Sequence, residues 1–317
     1  MRIGLDAMGG DFAPRAVVEG AVDVLGRLDE GIRLVLIGDE PQILESLASL
    51  GADPSAFDIV HASQVISMAD NPARAFSQKR NSSIAVGFGM LKNGMIDGFA
   101  SAGNTGAMLV GASYTVNVIP GIYRPALATL VPSITGRTAL LLDVGINPDT
   151  KPDVLLQYGL IGSMYAKHVL GIDNPAVALI NIGEEETKGS AAVRSAYELM
   201  KDHPDLNFTG NVEGNLLFGS NMPDVIVCDG FVGNVIIKEA EAFYHLLKER
   251  NISDPFFERF NFENIGGSPV IGINANVVIG HGISNRKAIM SMILETVNVV
   301  RADLAGKIKL TLANGKD

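Results

Sequence analysis

The chain has 317 residues, 47% hydrophobic and 19% charged, with 35 Asp and Glu against 25 Lys and Arg for a formal net charge of −10. The composition is globular, and the acidity argues against a general nucleic-acid binder, which needs a basic face to neutralise phosphates. A single cysteine, Cys228, excludes an internal disulfide and thiolate metal sites.

In chain order, short β-branched and aliphatic runs alternate with segments of helical period. Strands are expected at residues 2–6, 33–38, 57–62, 97–102, 138–145, 176–183 and 224–230. Helical patterns start near Pro14, Pro41, Ser83, Thr105, Pro152, Thr187, Phe231 and Ser284. Continuous apolar strands separated by helices indicate a mostly parallel sheet covered on both faces, an α/β chain of three layers, α/β/α. The stretch GGSPVIGINANVVIGHGIS (266–284) reads instead as two adjacent strands with antiparallel pairing before a final helix. No repeat, low-complexity tract or flexible linker interrupts the chain. The economical reading is one α/β domain over 1–317, as one body or as two lobes around an active-site cleft.

Apolar runs break off well short of the ~20 residues that span a bilayer. The opening residues MRIGLDAMGGD read as a strand and turn rather than a targeting peptide. A cytoplasmic protein is expected, with peripheral membrane association left open.

Five expected strands end in conspicuous turns: DAMGGD, SAGNTGA, DVGINPD, NIGEEETKGS and DGFVGN. None carries the dinucleotide fingerprint or the Walker pattern, which disfavours NAD and nucleoside triphosphates. Glycine lets backbone N–H groups approach an anion, and a following helix N-terminus adds about half a positive charge. Together the turns point to a phosphate or oxyanion. Asn104 and Asn234 each stand near a helix start, either as caps or as ligand-reaching amides. Asp6, Asp143 and Asp229 follow apolar strands, either bracing the next loop or facing substrate. Lys188 lies at an expected helix start, where a cation opposes the dipole, and is either anion-facing or solvated. His281, between glycines, is either structural or an acid/base. The other histidines share no metal-ligand spacing, Cys228 reads as buried packing, and no nucleophile elbow occurs.

Taken together, DAMGGD, SAGNTGA, RPAL, DVGIN, NIGEEETKG, GNVEG, DGFVGN and GHGIS closely resemble the bacterial PlsX family, the acyl-carrier-protein:phosphate acyltransferases of phospholipid synthesis. The likeness runs from residue 1 to the final helix near residue 305. It implies a fold like that of isopropylmalate dehydrogenases and phosphotransacetylases, a homodimer, and no metal or organic cofactor. It also implies transfer of a long-chain acyl group from acyl carrier protein to inorganic phosphate, giving acyl phosphate for a membrane-bound glycerol-3-phosphate acyltransferase. On this reading Ser101, Gly103, Asn104, Thr105 and Gly106 hold phosphate with Lys188, Asn234 supports the oxyanion, and Asp229 or His281 manages protons. Asp6, Gly9, Gly10, Asp11, Arg124, Asp143, Asn147, Asn211 and Gly233 line the rest of the pocket.

Acyl carrier proteins are acidic, so an acidic enzyme needs a local basic patch to dock one. Arg74, Lys79 and Arg80 supply one candidate and NRK at 285–287 a second, against the reading as ordinary solvated charges; Gln78 stands where the family pattern suggests another basic residue. Residues 243–262 concentrate Phe and Tyr among charges, either for core or dimer contact or for an acyl chain or membrane. Three rivals stand: a short-chain phosphotransacetylase using coenzyme A thioesters, an NAD-linked dehydrogenase on the same fold, and a non-catalytic anion-binding protein.

Overall fold

The computed structural model describes residues 1–314. The chain forms two compact units, both discontinuous in sequence: Met1–Val118 with Phe262–Asp303, and Ile119–Asn261 with the described residues from Leu304 onward. Residues 1–118 contain β1 (Arg2–Asp6), α1 (Arg15–Val24), β2 (Arg33–Gly38), α2 (Glu40–Ser49), β3 (Asp58–His61), α3 (Pro72–Gln78), α4 (Ser83–Lys92), β4 (Gly98–Ser101) and α5 (Thr105–Gly111). A wider helical turn, Ala112–Asn117, continues α5. The second unit follows with β5 (Ala126–Pro132), β6 (Thr138–Leu142), α6 (Pro152–His168), β7 (Ala176–Asn181), α7 (Ala191–Met200), β8 (Asn207–Glu213), β9 (Val225–Val227) and α8 (Gly230–Glu249). The chain then returns to the first unit with α9 (Phe262–Ile265), β10 (Ser268–Ile271), β11 (Asn276–Ile279) and α10 (Arg286–Ala302), and closes in the second with α11 (Leu304–Asn314).

In the first unit the strand order is β3-β2-β1-β4-β11-β10, parallel except for β10, which pairs antiparallel with β11 as the sequence leads one to expect. Ile3, Leu5, Leu36 and Val277 are fully buried, which requires cover on both faces and explains the unbroken apolar runs. Successive residues of β4 show the two layers. A side chain at Gly98 would run into Thr296 and Val300 of α10, whereas the Phe99 ring lies against Gly87 of α4. Phe76, Phe88 and Phe99 continue that second layer in edge-to-face contacts. Gly20 brings α1 within 2.7 Å, measured from a would-be Cβ, of Ile289 on α10, and Arg286 grips Asp23 across the same helix pair at 2.6 Å.

The second unit has strand order β5-β6-β9-β7-β8, with β5 antiparallel to β6 and the rest parallel. Gly162 of α6 packs on Val225 of β9, and Gly159 admits Met200 of α7. From the aromatic stretch, Phe256 and Phe260 pack edge-to-face, Phe260 meets Phe218, and Tyr244 donates to Glu258 at 2.9 Å, whereas Phe243 and Leu246 remain exposed.

Five elements lie outside the sequence expectations, the short helix α9 among them. The strand β8 reads NFTGNVE because it pairs only with β7 and needs no continuous apolar run. β5 is bounded by prolines at 125 and 132, a pattern that reads as a loop. α3 is short, and the expected single final helix is two, because Asp303 adopts a left-handed φ of 47° between α10 and α11. The helix expected near Thr187 starts instead at Ala191, with Ser190 accepting the Val193 N–H as its cap.

Candidate active site

Within the first unit the chain winds outward from β1 through β2 to β3, then crosses to β4 on the other side of β1. The gap beyond the carboxyl ends of β1 and β4 is therefore a topological switch point, where open α/β sheets bind ligands. Asp6 closes β1 and Ser101 closes β4. The Ser101 hydroxyl donates to Asp6 Oδ2 at 2.6 Å and accepts the Gly103 N–H at 2.9 Å, while Asp6 Oδ1 accepts the Met8 N–H at 3.1 Å. Asp6 is 2% exposed, and burial pushes its carboxyl above the usual range, opposed by hydrogen bonds from Ser101, Ser83 and Met8. Gly9 and Gly103 press onto this pair so closely that a Cβ on Gly9 would lie 2.4 Å from Asp6 Oδ2.

The third turn joins from β11, the parallel neighbour of β4. Gly280 donates its N–H to Ser101 O at 2.9 Å, and Asp11 donates its N–H to Gly282 O at 2.8 Å. Gly10 adopts φ +101°, which only glycine tolerates readily, as it passes Gly282 O. His281 sits half-buried in this turn.

Asn104 organises the SAGNTG turn. Its Oδ1 accepts the Ala107 N–H at 2.9 Å, the helix cap anticipated as one of its two readings. Its Nδ2 faces the carbonyls of Ser67, Met68 and Asp70 at 3.0, 3.4 and 3.2 Å, fastening a loop that the sequence did not mark. With Ala107 capped by that side chain and Met108 bonded to the Asn104 carbonyl, the N–H groups of Thr105 and Gly106 form the helix start, with no bond shown to any of the described residues. Lys79, the middle cation of the expected docking patch, pairs with Asp70 at 2.5 Å and holds its carboxyl below the usual range. Arg74 and Arg80 are exposed and make no ion pair among the described residues.

In the second unit Asp143, fully buried at the end of β6, accepts five hydrogen bonds. Oδ1 takes the N–H groups of Leu127, Gly145 and Ile146, and Oδ2 takes the backbone and side-chain N–H groups of Asn147, all within 3.2 Å. This is the bracing alternative: the carboxylate shapes the DVGIN turn. Asn147 also donates to Pro125 O at 2.8 Å and to the buried Tyr158 hydroxyl at 2.7 Å, a partner that reads in sequence as plain helix core. Burial pushes the Tyr158 phenol strongly up. Gly233 packs onto the Asp143 carbonyl with no room for a Cβ, and Cys228 donates to that carbonyl, buried, with its thiol pushed up by desolvation.

Asp229 caps α8 by accepting the Val232 N–H at 2.8 Å. Asn234 lies in the second turn of that helix, so its capping reading fails; its Nδ2 points at Val144 O, a long 3.4 Å. Lys188 precedes the cap of α7 instead of opposing a helix dipole, and it is exposed with no ion pair among the described residues. Its loop is held by Asn181, which donates to Lys188 O at 3.1 Å, and by Asn211, which donates to Glu185 O at 3.0 Å. Arg124 touches Asn147 Oδ1 at 3.4 Å and lines a cavity of about 430 Å³ with Tyr123, Asp149, Thr150 and Lys151. Among the described residues no cluster of His, Cys, Asp and Glu could hold a metal, and no helix is long and apolar enough to cross a membrane.

The fold is one that phosphotransacetylases share. A phosphotransacetylase from Streptococcus pyogenes superposes with a TM-score of 0.66 at 18% identity, covering 95% of this chain and 94% of the other. A branched-chain phosphotransacylase from Enterococcus faecalis gives 0.65 at 13% identity, covering 95% and 99%. Residues 1–253 match the family model described as "Fatty acid synthesis protein". A phosphate acyltransferase from Desulfitobacterium hafniense is 40% identical over 98% of both chains. The chain belongs to the phosphate acyltransferase family, and it is an enzyme of the transferase class.

Proposed function

We propose that this enzyme moves a long-chain acyl group from the thioester of acyl carrier protein to inorganic phosphate. Acyl transfer to phosphate, forming acyl phosphate, comes with the family; the carrier-protein donor and the chain length are the finer part of the reading. A phosphate oxygen attacks the thioester carbonyl, the C–O bond forms, and the carbonyl oxygen carries the tetrahedral negative charge. Collapse breaks the C–S bond, and the thiolate takes up the proton that phosphate gives up. No protein nucleophile is needed.

The observation that carries the reading is the SAGNTG turn at the switch point between β1 and β4. Phosphate meets the N–H groups of Thr105 and Gly106 and the exposed Thr105 hydroxyl, with Ser101 and Gly103 fixing the turn. Asn104 acts by positioning. The Asn104→Ala variant is expected to lose about 1 kcal/mol of stability through the missing cap. Its kcat should fall about tenfold or more as the turn loosens. Urea unfolding and steady-state kinetics check both, and unchanged turnover removes Asn104 from the site. In the second unit the reading assigns a cationic role to Lys188 and an amide donor role to Asn234, where one oxyanion donor is worth about 3 kcal/mol. His281 remains the candidate proton carrier, since the Asp229 carboxylate serves as a helix cap.

Carrier-protein docking is assigned to Arg74 in α3 and to Lys79 and Arg80 just after it. Reversing Arg80 to Glu should raise KM for the carrier-protein substrate several-fold, steeply at low salt, and leave the coenzyme A thioester unaffected. The reading also includes a homodimer, a cytoplasmic location with peripheral membrane contact, and delivery of acyl phosphate to a membrane glycerol-3-phosphate acyltransferase. One assay tests the core. Phosphate is supplied with palmitoyl carrier protein, palmitoyl coenzyme A or acetyl coenzyme A, and acyl phosphate is trapped with hydroxylamine. Product from the carrier thioester foremost is expected; preference for acetyl coenzyme A would favour the short-chain rival, and no product from any would sink the acyl-transfer reading.

A further inference from the structure

The three turns that meet at the ends of β1, β4 and β11 have a polar floor but an apolar rim. Phe12 follows Asp11 and is 55% exposed, Ile283 follows Gly282 and is 50% exposed, and Met68 is 48% exposed. Their neighbours are tied to one another. Asp11 donates to Gly282 O at 2.8 Å, the Met68 methyl carbon lies 2.9 Å from where a Gly282 Cβ would stand, and Asn104, which starts α5, holds the Met68 backbone. Large apolar side chains gathered at a binding turn and left in water mark a surface that a ligand covers. Inorganic phosphate offers nothing for them to cover.

We propose that Phe12, Met68 and Ile283 form a collar that receives the first methylenes of the substrate's acyl chain and thereby sets its chain-length preference. The proposal rests on the acyl-transfer reading. The only apolar part of the reacting group is the hydrocarbon attached to the carbonyl, and this rim is the apolar surface beside the phosphate turn that offers it cover. The flexible thioether of Met68 adapts to a chain of variable conformation, as methionine does in other apolar contacts. All three residues are half exposed, so polar replacements there leave the buried layers of the unit untouched.

The test compares acetyl and dodecanoyl pantetheine thioesters, which share one thiol and differ only in the chain. The double variant Met68→Ser/Ile283→Ser should lower kcat/KM for the dodecanoyl substrate about tenfold, roughly the worth of two methylenes, and change the acetyl substrate by less than about twofold. Phe12→Ser should act in the same direction, and melting temperatures should match the parent. Equal losses for both chains, or none for either, would overturn the collar. A parent enzyme inactive toward both substrates, carrier thioesters included, would overturn the acyl-transfer reading instead.

Discussion

Gly9→Ala is expected to lower kcat by about 100-fold or more. The added carbon would stand 2.4 Å from Asp6 Oδ2 and 2.8 Å from both the Gly103 nitrogen and the Ser101 hydroxyl. None of these can step aside cheaply. Asp6 and Ser101 are both buried and bonded to each other, and the Gly103 nitrogen is backbone already committed to Ser101. Relief has to come from pushing the DAMGGD and SAGNTG turns apart, which displaces the N–H groups of Thr105 and Gly106 assigned to phosphate. Displacement by an ångström is enough to cost two orders of magnitude in turnover. Gly26→Ala is the matched control, because nothing lies within 4 Å of its would-be Cβ. Steady-state kinetics with phosphate as the varied substrate decides the matter, and a Gly9→Ala enzyme within threefold of the parent would detach these turns from catalysis.

Asp143→Ala should produce the largest loss of stability, about 4 kcal/mol. The carboxylate accepts five hydrogen bonds in a fully buried setting, four of them from backbone N–H groups at Leu127, Gly145, Ile146 and Asn147. Removing it leaves those donors without a partner, each worth about 1–3 kcal/mol if nothing replaces the acceptor, with partial relaxation reducing the sum. Asp143→Asn should fall between, since an amide oxygen can still accept but its nitrogen faces donors. Urea unfolding measures the difference; a loss below about 1 kcal/mol would show that the DVGIN turn holds its shape without this carboxylate.

The buried parallel strands were legible because cover on both faces demands an unbroken apolar run, as in RIGLD and TALLL. β8 was illegible for the converse reason: an edge strand is stabilised by its one neighbour and tolerates Asn, Thr and a glycine at φ +94°. At the site, turns carrying glycine were visible because tight packing needs glycine whatever its purpose. Their partners were not. The loop around Met68 is brought to SAGNTG by an amide reaching carbonyls more than thirty positions away, and no local pattern encodes that. Side-chain roles divided along the same line. Asn104 could be read as a cap from its place before a helix, whereas Asp229 displaced Asn234 from that duty because the helix begins one residue after the carboxylate.

The return of residues 262–303 to the first unit sets the order in which the enzyme can come into being. β11 lies beside β4, and Asn276 bonds the Asp97 carbonyl across 179 positions of chain. As the ribosome releases the polypeptide, the edge of β4 stays open, a template for wrong strand pairing, until nearly all of the second unit has emerged. The turn bearing His281 then arrives with the last strand of the sheet. A nascent chain halted before it owns the glycines of DAMGGD and SAGNTG but not the segment that packs beside them, so competence waits for residues 276–284 to emerge.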